Sequence, residues 1–145
     1  MGISLATISG VTGELRVAIE LLSRGYVVSQ PIVPCQYDYV TETMDGFFKI
    51  QVKSTKTGRV HIGRGTGRIK GSLRGYSEDA FDVLVVVDSK NFYVLSREVL
   101  GDSKSLNTRD LDSFCENWSV LPPPITKQVP AESVPEQVVI PFKNL

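Results

Sequence analysis

The sequence contains few of the residues that build thiolate metal sites, disulfide frameworks or membrane spans. Its 145 residues include two cysteines and one histidine, and Cys35 and Cys115 belong to no C-x-x-C pair. Neither a zinc site nor a disulfide framework is therefore indicated. No signal peptide is recognisable, and no uninterrupted apolar run approaches the roughly 18 residues that cross a bilayer. We expect a soluble intracellular, cytoplasmic protein with no membrane partner.

Net charge is also absent, because sixteen basic residues balance sixteen acidic ones. The distribution is nevertheless uneven, since no carboxylate occurs between Asp45 and Glu78. Half of all basic residues fall in that interval: Lys49, Lys53, Lys56, Arg59, Arg64, Arg68, Lys70 and Arg74. The segment is locally positive, which favours a polyanionic partner.

Glycine is abundant in the same region, in the stretch TGRVHIGRGTGRIKGSLRG. So many glycines are costly inside a helix or strand, so we predict a loop, with Arg59 to Ile62 prolonging a strand. The Gly63-x-Gly65-x-Gly67 run matches neither a Rossmann fingerprint nor a P-loop. His61 lies in no G-x-S-x-G context, so a serine-hydrolase triad is not indicated.

A helix is predicted from Thr12 to Arg24. Thr12 is the expected N-cap, Glu14 the acidic residue of the first turn, and Gly25 the stop. The expected core stripe consists of Val11, Leu15, Ala18, Ile19 and Leu22.

The remaining elements are read from shorter patterns. Residues 26–29 and 81–87 are typical of strands, and 92–95 of a partner strand to the latter. A short helical turn is predicted over 96–100, and a second helix from Asn107 or Thr108 to Trp118, with Trp118 and Phe114 in the core. Six of the eight prolines lie between Pro122 and Pro141. We therefore divide the chain into a domain, 1–121, and a proline-rich extension or arm, 122–145.

A hairpin dominates the stretch YDYVTETMDGFFKIQVKSTK. With Asp45-Gly46 at the centre of a two-residue turn, facing positions sum to 91. Asp38 then lies opposite Lys53, with Gln51 as its diagonal neighbour on the same face. Ile50 and Val52 occupy the opposite face and can enter a core. Because Asp, Gln and Lys are poor strand formers, their convergence favours a functional site.

These side chains suit metal-dependent phosphodiester hydrolysis. Asp38 can ligate a hard cation, together with the Gln51 amide oxygen and the backbone carbonyl of Val52. Lys53 can position water or stabilise the charged transition state. Glu14 can complete the site if the first helix packs across the hairpin.

In this order, Gly13-Glu14, Tyr37-Asp38 and Gln51-Val52-Lys53-Ser54 resemble the PD-(D/E)XK nuclease superfamily. The sequence is most similar to the branch of small group I intron-encoded homing endonucleases, in which glutamine occupies the usual acidic position. The resemblance covers about residues 10 to 100 and includes Tyr76, Asp82 and Tyr93. It implies an α/β, restriction-endonuclease-like core (αβββαβ) with a mixed β-sheet flanked by helices.

The resemblance further implies catalytic roles for Glu14, Asp38, Gln51 and Lys53, and Mg²⁺ (or Mn²⁺) as cofactor. The expected substrate is double-stranded DNA, cut by a homo-oligomer, dimer or tetramer, since one site cuts one strand. The residues expected to contact DNA are Lys56, Arg59, His61, Arg64, Arg68, Lys70 and Arg74.

Two departures from the superfamily pattern leave alternatives open. Pro34 does not directly precede Asp38, and Gln51 removes one negative charge from the metal site. Two competing interpretations are a Holliday-junction resolvase of the same fold and a DNA-binding module that has lost hydrolysis.

Overall fold

The computed structural model describes residues 2–63 and 76–125, which contain seven strands. In chain order these are β1 (Val27–Ser29), β2 (Tyr39–Thr43), β3 (Gly46–Ser54), β4 (Arg59–His61), β5 (Val83–Val87), β6 (Phe92–Ser96) and β7 (Ser105–Asn107). A five-stranded sheet has the order β1-β2-β3-β5-β6, and β4 pairs with β7 in a second sheet. The larger sheet is mixed, because β3 runs parallel to β5 and all its other pairs are antiparallel.

Helix α1 spans Leu5–Ser23 and begins seven residues earlier than predicted. The hydroxyl oxygen of Ser4 caps it by accepting the N–H of Thr7 at 3.1 Å. The predicted N-cap at Thr12 is therefore wrong. Ser4 is an earlier capping residue, and no proline occurs among the seven residues between Ser4 and Thr12 that could prevent the helix from starting there. Glu14 consequently lies near the middle of the helix and not in its first turn.

The face of α1 that packs on the sheet also differs from the prediction. Gly13, Val17 and Leu21 are its buried residues. The helix is apolar on two sides, and helical periodicity alone does not show which of them packs on the sheet. The packed side is the one with Gly13, whose small size lets α1 approach β3. The predicted stripe instead lies mostly outside, with exposed fractions of 48 % for Val11, 56 % for Leu15, 63 % for Ile19 and 57 % for Leu22.

Two apolar clusters cover the two faces of the sheet. The cluster beneath α1 contains Ile50 and Val52, as predicted, and also Trp118. The cluster on the other face includes Leu84 and Val86, and Phe114 packs against its edge. The assignment of Trp118 to the core is thus confirmed.

The β2–β3 turn lies one residue before its predicted position. Thr43 pairs with Gly46, so Met44 and Asp45 form the turn and facing positions sum to 89. The Thr43 hydroxyl donates to the Gly46 carbonyl at 2.8 Å and accepts the Asp45 N–H at 3.2 Å, which stabilises the earlier turn. The predicted pairing of Asp38 with Lys53 is therefore wrong by two residues. Since side chains alternate with period two, the shift leaves each side chain on its predicted face.

The second half of the chain confirms some predicted elements and corrects others. β5 and β6 pair as predicted, and Ser96 caps a short helix α2, Arg97–Leu100. The predicted helix to Trp118 is instead three 3-10 turns. The Glu116 N–H donates to the Phe92 carbonyl at 2.7 Å, which holds this segment along β6 and prevents a continuous helix.

Other corrections concern the connections. β4 does not prolong β3 but pairs with β7. No helix occurs between β3 and β5 within the described residues, whereas the resemblance implied one there. The start of the proline-rich extension contacts the domain, because Tyr26 donates its hydroxyl to the Pro122 carbonyl and Met44 its N–H to the Pro123 carbonyl. No helix within 2–63 or 76–125 is long and apolar enough to span a membrane.

Candidate active site

The candidate site forms where β2 separates from β3. Asp38 immediately precedes β2 and donates its N–H to the Ile50 carbonyl at 2.8 Å. Beyond that point no residue of β2 lies opposite Val52, and the Asp38 carboxylate accepts the Val52 N–H at 2.7 Å. The carboxylate thus replaces a missing strand partner, which fixes its position at the open edge of β3.

Groups from both faces of the sheet reach this edge. Glu14 of α1 and Lys53 of β3 line one cleft of about 490 Å³, together with Val52 and Lys56. Continuing the observed β2–β3 register places Asp38 opposite Gln51. Glu14, Asp38, Val52 and Lys53 are therefore brought together by α1 and the hairpin, as expected.

The pKa values of both carboxyl groups are raised. Burial raises the pKa of Asp38 above 3.8, although the Val52 N–H and the Lys53 ammonium act in the opposite direction. Burial and the charge of Asp38 raise the pKa of Glu14 above 4.5. Burial, Glu14 and Asp38 also raise the pKa of Tyr39 above 10.0. Burial is the largest cause in all three cases, so the site favours the protonated form of these groups chiefly because it is shielded from water.

Gln51 is buried and donates its side-chain N–H to the Val52 carbonyl at 3.1 Å. This bond connects two of the expected metal-binding groups. It occupies one of the two lone pairs of the Val52 carbonyl oxygen, leaving the second. The amide oxygen of Gln51 is the neutral acceptor that replaces the usual carboxylate.

The donor set fits a hard divalent cation. Two carboxylates, one amide and one backbone carbonyl are all oxygen donors, which Mg²⁺ and Mn²⁺ prefer over softer sulfur or imidazole ligands. Within the described residues there is no group of three or more His, Cys, Asp and Glu side chains that could hold a metal. An ion at this site would therefore need Gln51 or Val52 in addition to Glu14 and Asp38.

The residues expected to bind DNA are distributed unevenly. Lys56 is exposed and lines the cleft, whereas Arg59 and His61 are exposed on β4, in the second sheet. The other four, Arg64, Arg68, Lys70 and Arg74, lie outside the described residues.

Two contacts of the site had no clear signal in the sequence. The Lys53 ammonium lies 5.6 Å from the centre of the Tyr76 ring, a cation–π geometry. A Cβ atom on Gly13 would lie 1.8 Å from the Ser54 Oγ and 3.1 Å from its Cβ, so α1 approaches β3 too closely for a larger residue. A glycine next to Glu14 in a helix was the one hint of this approach.

Asp82 holds the other edge of β3. Its carboxylate accepts the Lys49 N–H at 2.7 Å, and its own N–H donates to the Lys49 carbonyl at 2.9 Å. This agrees with the prediction of a polar residue at the start of a strand.

Comparison with known proteins identifies similar folds. The family model of the PD-(D/E)XK endonuclease matches residues 7–113. A solved bacterial homing endonuclease, I-Ssp6803I, superimposes with a TM-score of 0.68 at 21 % identity, covering 81 % of this chain and 93 % of that one. Hjc, a Holliday junction resolvase from the archaeal hyperthermophile Archaeoglobus fulgidus, gives 0.50 at 12 % identity, covering 70 % and 86 %. No curated protein matches the sequence.

Proposed function

Because the chain belongs to the PD-(D/E)XK endonuclease family, whose model matches residues 7–113, we propose that it is a divalent-metal-dependent endonuclease that hydrolyses DNA. The observation that carries the proposal is the open edge of β3, where Asp38 accepts the Val52 N–H and lies within the electrostatic influence of Lys53 and Glu14. Both neighbouring folds, the homing endonuclease and the resolvase, fit this class of reaction.

Glu14, Asp38, Gln51 and the Val52 carbonyl would hold the metal, which we propose is Mg²⁺ or Mn²⁺. When bound, such an ion supplies positive charge to the attacked phosphate and lowers the pKa of water. Asp38 is held in place by the Val52 N–H, so its carboxylate does not need to reorganise. Gln51 contributes no charge, which leaves Glu14 and Asp38 as the anionic ligands.

Lys53 is the cationic group of the site. Lys53 lines the cleft with Glu14, and its ammonium can donate to a phosphate oxygen, where negative charge grows in the transition state. The Tyr76 ring limits the positions that the flexible side chain can take. Lys53 therefore stabilises charge on the phosphate and orients the attacking water.

The proposed substrate is double-stranded DNA, cut site-specifically in the manner of a homing endonuclease. The more extensive structural similarity, over 93 % of the homing endonuclease chain, favours this over the resolvase. Lys56, Arg59 and His61 are exposed next to the cleft or on β4, where they can contact phosphates. We also assign Arg64, Arg68, Lys70 and Arg74 to DNA from their charge alone.

Double-strand cleavage needs two sites, so we propose that the chain acts as a homo-oligomer. The outward face of α1 supports this, because Ile8, Leu15 and Leu22 are spaced by seven residues and are each at least 50 % exposed. Val11, 48 % exposed, lies three residues after Ile8, as the d position follows the a position of a heptad, whereas Ala18 packs against the core beneath α1. A contiguous exposed apolar stripe also indicates an interaction surface.

The test compares nicking of a supercoiled plasmid by the wild type, Asp38→Ala and Lys53→Ala with and without Mg²⁺. Lys49→Ala is the matched control, since Lys49 lies on the same strand and the same face, four residues before Lys53. We expect Mg²⁺-dependent nicking by the wild type and the control, and a loss of about a hundredfold or more in the other two. Equal residual nicking by all four proteins would exclude this mechanism.

The second candidate function is that of a Holliday-junction resolvase, which differs from a homing endonuclease in the shape of the DNA that it cuts. Cleavage of a four-way junction and of linear duplex of the same sequence is compared at equal enzyme concentration. Preference for the junction would replace the homing assignment. Tight binding of duplex without any cleavage would instead support a DNA-binding module that has lost hydrolysis.

A further inference from the structure

The small sheet formed by β4 and β7 has one apolar and one polar face. Val60 pairs with Leu106, and both pack against the second core cluster. Because side chains alternate along a strand, the flanking pairs Arg59–Asn107 and His61–Ser105 point to the other side. Arg59, His61 and Ser105 are exposed, and Asn107 is half-buried, with its side-chain oxygen accepting the Arg109 N–H at 3.2 Å.

The β4 side of this ribbon carries one positive charge, Arg59, and no negative charge. Arg59 belongs to the interval from Asp45 to Glu78 in which the sequence has no carboxylate. The β7 side is mixed, with Lys104 and Arg109 beside Asp102, Asp110 and Asp112. An anionic partner is therefore favoured along the edge that carries Arg59 and His61.

The ribbon is fixed to the strand that carries the candidate catalytic lysine. The Thr55 hydroxyl, two residues after Lys53, donates to the Arg59 carbonyl at 2.9 Å. The Thr108 N–H donates to the Gly58 carbonyl at 2.8 Å, and Gly58 adopts a φ of +83° that favours glycine. The Thr55 bond connects the ribbon to the segment that follows Lys53, and the Thr108 bond extends the pairing of β7 with β4.

We propose that the polar face of the β4–β7 ribbon enters the major groove of the DNA substrate and reads base edges. This rests on the proposed function and extends it from phosphate contact to sequence recognition. The major groove is about 12 Å wide and admits a two-stranded ribbon. Arg59 carries two parallel N–H donors that match the O6 and N7 acceptors of guanine, and His61 and Ser105 add single hydrogen-bonding groups beside it.

The experiment measures base preference directly. A library of duplexes with randomised sequence is digested by the wild type in Mg²⁺, and the cut fragments are sequenced. The same library is digested by Arg59→Ala, Arg59→Lys, His61→Ala and Ser105→Ala. Arg109→Ala is the control, because Arg109 has an exposed side chain beyond the end of β7 and does not belong to the polar face.

We expect Arg59→Ala to lose about tenfold or more of the preference for guanine at one position, with other positions unchanged. Arg59→Lys should lose the same preference while keeping most of the DNA affinity, since lysine keeps the charge but not the paired donors. His61→Ala and Ser105→Ala should relax preference at neighbouring positions. Arg109→Ala should alter cleavage of all sequences alike.

Two results would overturn the inference while leaving the proposed function intact. One is a wild type that cuts DNA without base preference. The other is an unchanged wild-type preference in all four ribbon variants, with circular dichroism showing that they fold. Absence of any duplex cleavage or binding by the wild type would instead refute the proposed function, and the inference with it.

Discussion

Asp38 and Asp82 hold opposite edges of the same strand by the same contact. Each precedes a neighbouring strand, and each accepts one backbone N–H of β3 at 2.7 Å, from Val52 and Lys49 respectively. Only Asp38 lies beside the cleft that contains Glu14 and Lys53. Comparing the two aspartates therefore distinguishes the structural contact, which both make, from the chemical role that we propose for Asp38 alone.

Replacing each aspartate by asparagine tests this separation. Asparagine keeps an oxygen that can accept the N–H, so both variants should fold. We predict that Asp38→Asn lowers Mg²⁺-dependent nicking by about a hundredfold or more, and that Asp82→Asn retains it within a few fold. Initial rates of plasmid nicking measure both. A similar loss in both variants would contradict a chemical role that is specific to Asp38.

The raised pKa values of Asp38 and Glu14 predict how stability depends on pH without metal. A carboxyl group with a higher pKa in the folded state binds more protons there than in the unfolded chain. The contribution of these two groups to the free energy of unfolding should therefore fall as pH rises from the ordinary values of 3.8 and 4.5 through the raised folded-state values. Thermal melts of the metal-free protein from pH 4 upward measure this loss.

Two controls accompany these melts. Asp38→Asn removes one of the titrating groups, so its pH dependence should be smaller. Mg²⁺ or Mn²⁺ added at neutral pH should raise the melting temperature of the wild type, because the ion binds only the folded site. A melting temperature that rises equally for Asp38→Asn would contradict the assignment of Asp38 as a ligand.

Gln51→Glu tests the neutral position of the site. A third buried carboxylate should lower the stability of the metal-free protein and retain or strengthen its metal affinity, since it adds charge among the ligands. Isothermal titration with Mn²⁺ gives the affinity, and melts with EDTA give the stability. Weaker Mn²⁺ binding by a correctly folded variant would argue against a ligand role for Gln51.

Gly13→Val tests the close approach of α1 to β3. The new side chain must displace Ser54, and such overpacking costs about 1–3 kcal/mol. Gly10→Val is the matched control on the same helix, because a Cβ there meets nothing within 4 Å. Denaturant unfolding should show a loss for Gly13→Val only, and Ser54→Gly in the same chain should restore part of it.

Leu15→Glu tests the outward stripe of α1. Leu15 is 56 % exposed, so the charge should leave the fold intact while disrupting pairing between copies. Sedimentation should show a shift toward the monomer for this variant. Ser119→Glu, an exposed position outside α1, should keep the wild-type distribution. A wild type that is monomeric at all concentrations would contradict the proposed homo-oligomer.

The sequence predicted which side chains of the hairpin share a face better than it predicted the bounds and packing of the elements around them. Alternation along β3 was sufficient to place Gln51 and Lys53 on one face and Val52 on the other. This placement is correct even though the turn begins one residue earlier than predicted. The side of α1 that faces the sheet could not be predicted from the sequence, because the helix has two apolar sides, one with Val17 and one with Leu15. The close fit of Gly13 against Ser54 places the Val17 side on the sheet. The helix expected before Trp118 failed because hydrogen bonding to Phe92 overrode local propensity.

Because β3 and β5 are parallel neighbours, the chain must cross from the end of one to the start of the other, and residues 55–82 make that crossing. Arg59 and His61 lie within this crossing, are exposed, and do not belong to the paired residues of β3 and β5, so these two positions can change without altering the register of the two central strands. If the chain is the DNA endonuclease that we propose, this crossing is where relatives would change their DNA targets while keeping Glu14, Asp38 and Lys53.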